Sequence, residues 1–186
     1  MIRLPYSFLL ISMLLAACVQ MPAQAPLAPS TTAAAKPVQA PLPVPQLAPL
    51  AHWVGGNWVG TFEAGGRKFT LSRTYVWSFD RRVLVGKSFG ERDGKPFQTR
   101  ETVYYWNGET KRIEFIDFID NGGYGLGWIE LRDKQVYMDV KVVGNTGHPS
   151  WRAWIKEDTD SQVIRVEALR DGKWIDFGTY PYKRAP

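Results

Sequence analysis

The sequence predicts an all-β fold, a single antiparallel up-and-down β-barrel of about ten strands, preceded by a disordered tether. Beyond residue 50, turn signals recur about every ten to twelve residues, and the segments between them alternate apolar and polar side chains. No sustained helical period occurs in that part of the chain. Ten hairpin-linked strands form a meander, and closing it into a barrel removes the long edges of an open sheet.

The first 17 residues have the order of a secretory signal. Arg3 precedes the apolar run FLLISMLLAA, which is too short for a permanent membrane span. Leu15, Ala16, Ala17 and Cys18 resemble the lipobox of bacterial lipoproteins, in which the cysteine becomes the lipid attachment point. The resemblance implies a lipoprotein signal peptide over residues 1–17 and lipidation of Cys18. The alternative is an ordinary signal peptide with an incidental cysteine.

Residues 18–50 are predicted to be a lipidated cysteine followed by a Pro/Ala-rich linker. Eight prolines and one charged residue, Lys36, lie between Val19 and Leu50. Proline removes amide donors and fixes φ, so this stretch should be an extended, semi-rigid spacer. A Pro-rich segment can also bind aromatic-grooved domains, but this one has no basic anchors beside its prolines.

The barrel domain is predicted over residues 51–186. A short helix over Pro49–Trp53 leads into the Gly55-Gly56 pair, and Asn-Gly and Asp-Gly pairs supply tight hairpin turns. Strand two shows the alternation clearly, with Phe69, Leu71 and Arg73 on one face and polar residues between them. The predicted strands cover residues 57–64, 67–79, 82–92, 96–106, 111–119, 124–132, 135–143, 148–157, 162–170 and 173–183.

Charge excludes one class of partner. Beyond residue 50, 21 basic side chains accompany 18 acidic ones, and the two signs are interspersed. This balance is compatible with an anionic envelope surface but is not a nucleic-acid footprint, so no nucleic-acid partner is expected.

Gly56-Asn57-Trp58 opens the first strand, and Arg184 ends the last one. This arrangement resembles the calycins, the lipocalins and fatty-acid-binding proteins, in which a basic residue of the last strand covers the tryptophan at the closed end. The resemblance implies that Gly56, Trp58 and Arg184 form the barrel closure. The segment from Trp53 to Arg184 is similar to small uncharacterised lipocalin-like proteins of bacterial envelopes. A phosphate-binding loop at the glycines is excluded because no helix or lysine follows them.

Aromatic residues are dense in the predicted barrel, at 23 of its residues beyond position 50. They either line a cavity for an apolar or amphipathic ligand or simply fill the barrel, and a few placed polar groups would orient a ligand. The candidate cavity residues are Arg73, Tyr75, Trp77, Glu101, Tyr105, Trp128, Arg152 and Trp154. A third hypothesis places Trp106 and Trp151 on an outward protein-binding face.

Catalytic and metal signatures are weak. No catalytic residue or metal site is predicted, since the sequence contains no Gly-x-Ser-x-Gly elbow and the two histidines are far apart. Glu101 and Asp117 are candidates for acid–base work, but pairing with Arg73 or Arg152 is the commoner arrangement for such carboxylates. No cofactor is expected, with haem held by His148 as the less favoured alternative.

These observations together predict a lipid-anchored cell-envelope protein, at the outer membrane and facing the periplasm. Its expected partners are the membrane, through the N-terminal lipid, and a small hydrophobic or amphipathic ligand that it binds without transforming. The alternatives are an interaction module for envelope proteins or the cell wall, and an enzyme or haem-binding barrel.

Overall fold

The computed structural model describes residues 42–64, 67–92, 94–133, 135–144 and 150–185. The predicted signal peptide, Cys18 and most of the predicted linker lie outside these ranges, and so does His148. No helix in the described part of the chain is both long and apolar enough to cross a membrane.

A 3₁₀ helix and ten strands make up the described residues. The helix spans Pro45–Trp53, and it starts at a proline because the first helical residue needs no amide donor. The strands are β1 (Asn57–Ala64), β2 (Arg67–Ser78), β3 (Val83–Arg92), β4 (Lys95–Asn107), β5 (Arg112–Ile119), β6 (Tyr124–Arg132), β7 (Gln135–Val143), β8 (Ser150–Glu157), β9 (Ser161–Arg170) and β10 (Lys173–Ala185). The predicted strand bounds lie within about two residues of these.

Each strand pairs antiparallel with the next one along the chain, and β1 pairs with β10 to close the barrel. The predicted ten-stranded up-and-down barrel is therefore confirmed. The register aligns Tyr75 with Gly86, Gly86 with Thr102, and Thr102 with Asp117. Directly paired residues share one face of the sheet, and Tyr75, Thr102 and Asp117 are buried, so this row lies on the inner wall.

The 3₁₀ helix seals one end of the barrel. Leu47, Leu50, Trp53 and Trp58 have no solvent-exposed surface, and the Trp58 indole donates a hydrogen bond to the Trp53 carbonyl (2.9 Å). We call this end the floor; the hairpins β1–β2, β3–β4, β5–β6 and β9–β10 surround the opposite, open end.

Arg184 fastens the floor to the last strand. Its Cζ lies 4.5 Å from the Trp58 ring centroid, and its guanidinium donates to the carbonyls of His52 and Gly55 (2.8 Å to Gly55). Gly56 has a φ of +78°, and a Cβ there would lie 2.8 Å from Arg184 Cγ. A side chain at this position would therefore meet both backbone strain and a steric clash.

Candidate functional site

A cavity of about 600 Å³ lies between the floor and the open end of the barrel. Small-molecule sites commonly measure about 300–1,000 Å³ and have mostly apolar walls with a few polar groups. The wall here is built largely from inward-facing apolar side chains, among them Phe62, Leu71, Met138, Ile155, Ile164 and Val166. The aromatic residues therefore do not fill the barrel.

Arg73 is the cation near the floor of this cavity. Its β2 position pairs with Trp58 of the floor, and its Cζ lies 4.8 Å from the Tyr182 ring centroid. The Nε atom is buried and has no hydrogen-bond partner. None of the ion pairs among the described residues includes Arg73. A buried guanidinium without a carboxylate partner is costly, so its presence needs a reason.

Three tyrosines surround Arg73. Burial raises the pKa of Tyr75, and it raises the pKa of Tyr104 well above the usual value, so both are neutral hydroxyls near pH 7. Burial by itself would lower the pKa of Arg73, but its interactions with Tyr182, Tyr75 and Tyr104, including a hydrogen bond with Tyr75, outweigh that effect and hold the pKa above its usual value. The group is thus a permanent cation surrounded by hydroxyl groups.

A second polar cluster lies on the wall formed by β4 and β5. Asp117, only 1% exposed, accepts hydrogen bonds from Thr102 Oγ1 (2.8 Å) and Arg100 Nη1 (3.0 Å). Arg100 also stacks over the Trp151 ring, with its Cζ 5.4 Å from the centroid. Arg100 neutralises Asp117, and Lys87 of the lining approaches Glu101, so among the described lining residues only Arg73 has no counter-charge.

Glu157, beside the floor, is already committed to other donors. Its carboxylate accepts hydrogen bonds from the Trp53 indole, from Gln162 Nε2 (3.3 Å) and from His52 Nε2 (2.6 Å). These contacts attach the 3₁₀ helix to β8 and β9. The Glu157 carboxylate therefore stabilises the floor and does not form an ion pair with Arg73.

The structure brings together only part of the predicted cavity set. Arg73 and Tyr75 line the cavity. Trp77 also lies on the inner face of β2, but it packs against the hydrophobic core and does not line the cavity. The predicted closure residues Gly56, Trp58 and Arg184 meet at the floor, as described above.

The other predicted cavity residues lie on the outer wall, and the structure corrects their placement: Glu101, Tyr105, Trp128, Arg152 and Trp154. On β4 the inner positions belong to Arg100, Thr102 and Tyr104, so Glu101 and Tyr105 point to the outside. Gly127 on β6 and Ala153 on β8 occupy inner positions. Trp128 follows Gly127 directly, and Arg152 and Trp154 flank Ala153, so these three side chains face outward.

The outer aromatics form a continuous row with arginines. The rings of Trp128 and Trp154 each lie 5.5 Å from the ring of Tyr137, centroid to centroid. Arginine guanidinium groups lie 4.4–5.2 Å from the centroids of these rings. The arginines concerned are Arg112 over Trp128, Arg132 over Tyr137 and Arg152 over Trp154. Each ring of this row is therefore covered by one of the protein's own cations.

The hypothesis of an outward face with Trp106 and Trp151 is wrong. Trp151 lines the cavity, and Trp106 packs against the hydrophobic core. Both are an even number of positions from inner residues of the same strand, Tyr104 on β4 and Ala153 on β8. The period of two puts them on the same face as those residues.

The expected carboxylate pairs are also corrected. Glu101 approaches Lys87 (3.5 Å) on the outer wall, and Arg152 pairs with Glu167 (2.6 Å). Asp117 takes Arg100 as its partner, not Arg73. In the described ranges no three His, Cys, Asp or Glu side chains are grouped as metal ligands would be. Haem binding through His148 stays a prediction, because that residue lies outside the described part.

Sequence reasoning missed several inward polar residues, namely Arg100, Thr102, Tyr104 and Tyr182. Their signal was present. Arg100, Thr102 and Tyr104 occupy alternate positions of one strand, and Tyr180 and Tyr182 do so on another. Extending the alternation from strand two to these strands, with inward residues aligned by register, would have identified them.

No protein-family model and no curated protein matches this chain.

Proposed function

We propose that this barrel binds one small amphipathic molecule with an anionic head group and does not transform it. The observation that carries the proposal is Arg73, a buried cation near the floor of an apolar cavity, without a carboxylate partner. A ligand carboxylate, or a similar anion, would supply the missing partner through charge-assisted hydrogen bonds. The apolar wall above Arg73 would hold the tail.

A substitution at Arg73 separates this proposal from a purely structural role. Arg73→Met keeps the length and apolar stem of the side chain but removes the buried charge. Replacing an uncompensated buried charge by an apolar group should leave the free energy of unfolding equal or raise it, as measured by urea denaturation. A binding residue can lower the free energy of unfolding of the ligand-free protein, and such a cost is expected of Arg73 if its role is binding.

The binding experiment compares decanoate with decan-1-ol, two ligands with the same tail and different heads, by titration calorimetry. We expect the wild-type protein to bind decanoate more tightly than decan-1-ol. Truncating one partner of a buried charge pair costs about 2 kcal/mol or more, so Arg73→Met should weaken decanoate binding about 30-fold. Binding of decan-1-ol should be unchanged in this variant.

Arg152→Met is the matched control, because Arg152 is an arginine on the outer wall that pairs with Glu167. It should bind decanoate as the wild type does. The proposal is wrong if the wild type binds neither ligand, or if Arg73→Met binds decanoate with wild-type affinity.

We also propose that the barrel is lipid-anchored in a bacterial envelope through Cys18, at the outer membrane and facing the periplasm. The support is the order Arg3, apolar run, Leu15-Ala16-Ala17-Cys18, followed by the proline-rich spacer. Cys18→Ser should abolish incorporation of labelled palmitate and release the protein, or leave it unprocessed. Palmitate entering the Cys18→Ser chain would show that the attachment point lies elsewhere.

A further inference from the structure

The seam between β1 and β10 is hydrogen-bonded along only part of its length. The ladder has three residue pairs, Asn57 with Ala185, Trp58 with Arg184 and Val59 with Lys183, all beside the floor. β1 continues to Ala64 and pairs there with β2, while β10 pairs with β9 from Lys173 onward. Among the described residues, no pair joins β1 to β10 beyond Val59.

The chemistry of β10 explains where the ladder stops. Extending the register places Thr61 opposite Pro181, which has no amide hydrogen to donate. The two strands still approach closely here, since a Cβ on Gly60 would lie 2.4 Å from the Pro181 carbonyl oxygen. Further along, the β9–β10 register shifts between Asp176 and Gly178, forming a bulge. Prolines and bulges are common means of keeping a strand edge unpaired.

Aromatic side chains, not backbone hydrogen bonds, span the unpaired stretch. The rings of Phe62 and Tyr180 meet edge to face, with centroids 5.0 Å apart. The Tyr180 hydroxyl donates one long hydrogen bond to the Phe177 carbonyl (3.4 Å). Side-chain rotation can separate such rings much faster than a ladder of backbone hydrogen bonds can open.

The unpaired stretch leads directly into the cavity. Phe62, Phe177 and Tyr180 all line it, and Phe177 is 53% exposed. Burial raises the pKa of the Tyr180 hydroxyl, with Tyr182 and Asp176 acting in the same direction and Arg100 and Arg73 acting against them. Arg73, the cavity cation without a carboxylate partner, also lines this cavity and would attract an anionic head that has passed Tyr180.

We propose that the ligand enters and leaves the cavity sideways, through the β1–β10 seam beyond Val59, past a gate formed by Phe62 and Tyr180. This inference rests on the proposed binding function. The gate requires no change in the floor, because the three paired positions and the Arg184 contacts lie on the floor side of the seam.

A reversible lock tests the route without altering the cavity wall. Thr61→Cys with Pro181→Cys is designed to form a disulfide across the seam, because the extended register places these two residues opposite each other. Both residues are exposed and neither lines the cavity, so the cavity wall is unchanged. The full chain carries Cys18→Ser, which leaves no third thiol. Because Pro181→Cys also adds the amide hydrogen that Pro181 lacks, the oxidised form is compared with the reduced form of the same variant. Stopped-flow fluorescence with dansylundecanoate, an anionic amphipath, should show association and dissociation at least about 10-fold slower in the oxidised form than in the reduced form. Kd should be the same in both forms.

Opening the gate should have the opposite effect. Tyr180→Ala should speed association and dissociation of dansylundecanoate about 10-fold, while Kd changes much less. The control is Val163→Ala, an exposed position on the outer wall of the adjacent strand β9, which should leave both rates unchanged.

The outcomes separate the route from the binding function. If dansylundecanoate does not bind at equilibrium, the proposed function fails. If it binds and neither the lock nor Tyr180→Ala changes the rates, the ligand uses the open end and the seam proposal is overturned. If the disulfide does not form, the rates of Tyr180→Ala by themselves decide between the seam and the open end.

Discussion

At the scale of single residues, two inner arginines have opposite surroundings. Arg100 faces Asp117, which also accepts a hydrogen bond from Thr102, so that cluster is satisfied without any ligand. Arg73 has tyrosine hydroxyls and ring faces around it but no counter-charge. The first cluster is explained by stability, whereas the second has no counter-charge within the described protein and is the basis of the proposed binding function.

Asp117→Asn should destabilise the empty barrel. The substitution keeps the shape of the side chain but removes the charge that Arg100 and Thr102 contact. Hydrogen bonds to charged groups contribute about 1.5–3 kcal/mol, and Arg100 can turn partly toward solvent, so we expect a loss of about 2 kcal/mol. Urea denaturation measures it. Glu101→Gln, in an exposed pair with Lys87, should cost less than about 1 kcal/mol. Equal losses in the two variants would contradict the assignment.

At the scale of elements, the floor is an assembly of the 3₁₀ helix with the ends of β1, β8 and β10. Trp58 inserts between them, Arg184 covers it, and Glu157 holds the helix through the Trp53 indole. Hydrogen bonds within a 3₁₀ helix have poorer geometry than those of an α-helix, so these contacts help to fix its position. The floor closes the barrel next to the only hydrogen-bonded section of the β1–β10 seam among the described residues.

Arg184→Met should loosen this floor. The carbonyls of His52 and Gly55 would each lose a hydrogen-bond donor, which lowers the free energy of unfolding by about 1 kcal/mol per bond. Trp58 would lose a cation–π contact that contributes a similar amount. Together these losses should lower the free energy of unfolding by about 3 kcal/mol in urea denaturation. The control is Arg165→Met, which removes an exposed arginine lying 5.7 Å from the Trp154 ring. Its loss should stay below about 1 kcal/mol, and a larger loss there than at Arg184 would refute the floor assignment.

At the scale of the whole molecule, the barrel encloses several tyrosine hydroxyls within one wall. Burial raises the pKa of Tyr75 and Tyr104 above the usual 10.0. The folded state therefore retains these protons at a pH where the unfolded chain releases them. By linkage, their contribution to stability is fully present below about pH 10 and is lost as the pH rises toward the folded pKa values.

Alkaline denaturation should consequently depend on Tyr104. We expect the free energy of unfolding to fall between pH 9 and pH 11 in the wild type, and to fall less in Tyr104→Phe, since phenylalanine has no proton to release. Urea denaturation at the two pH values measures the difference. Tyr124→Phe, on the exposed outer wall, serves as the control and should keep the wild-type pH dependence. The same pH dependence in all three proteins would contradict the role given to burial.

The strand layout could be predicted from sequence because each hairpin carries local signals. Turn residues such as Asp171-Gly172 and the alternation in β2 are properties of a few neighbouring residues, and the observed bounds agree with them within about two positions. Side-chain facing could not be predicted as well where both faces of a strand are aromatic. On β8, Trp151 and Trp154 are equally apolar, and only the register with β7 and β9 puts Trp151 inside.

The sequence by itself determined an all-β chain with ten strands, because periodicity and turn chemistry act over short distances along the chain. Only the tertiary structure decided which face of each strand is the inner one, that Asp117 pairs with Arg100, and that Arg73 is left without a carboxylate partner among the described residues. It also decided that the β1–β10 seam is paired only near the floor. The physical reason is that charge compensation and closure depend on residues far apart in sequence, whose separation is set by barrel register and not by local pattern.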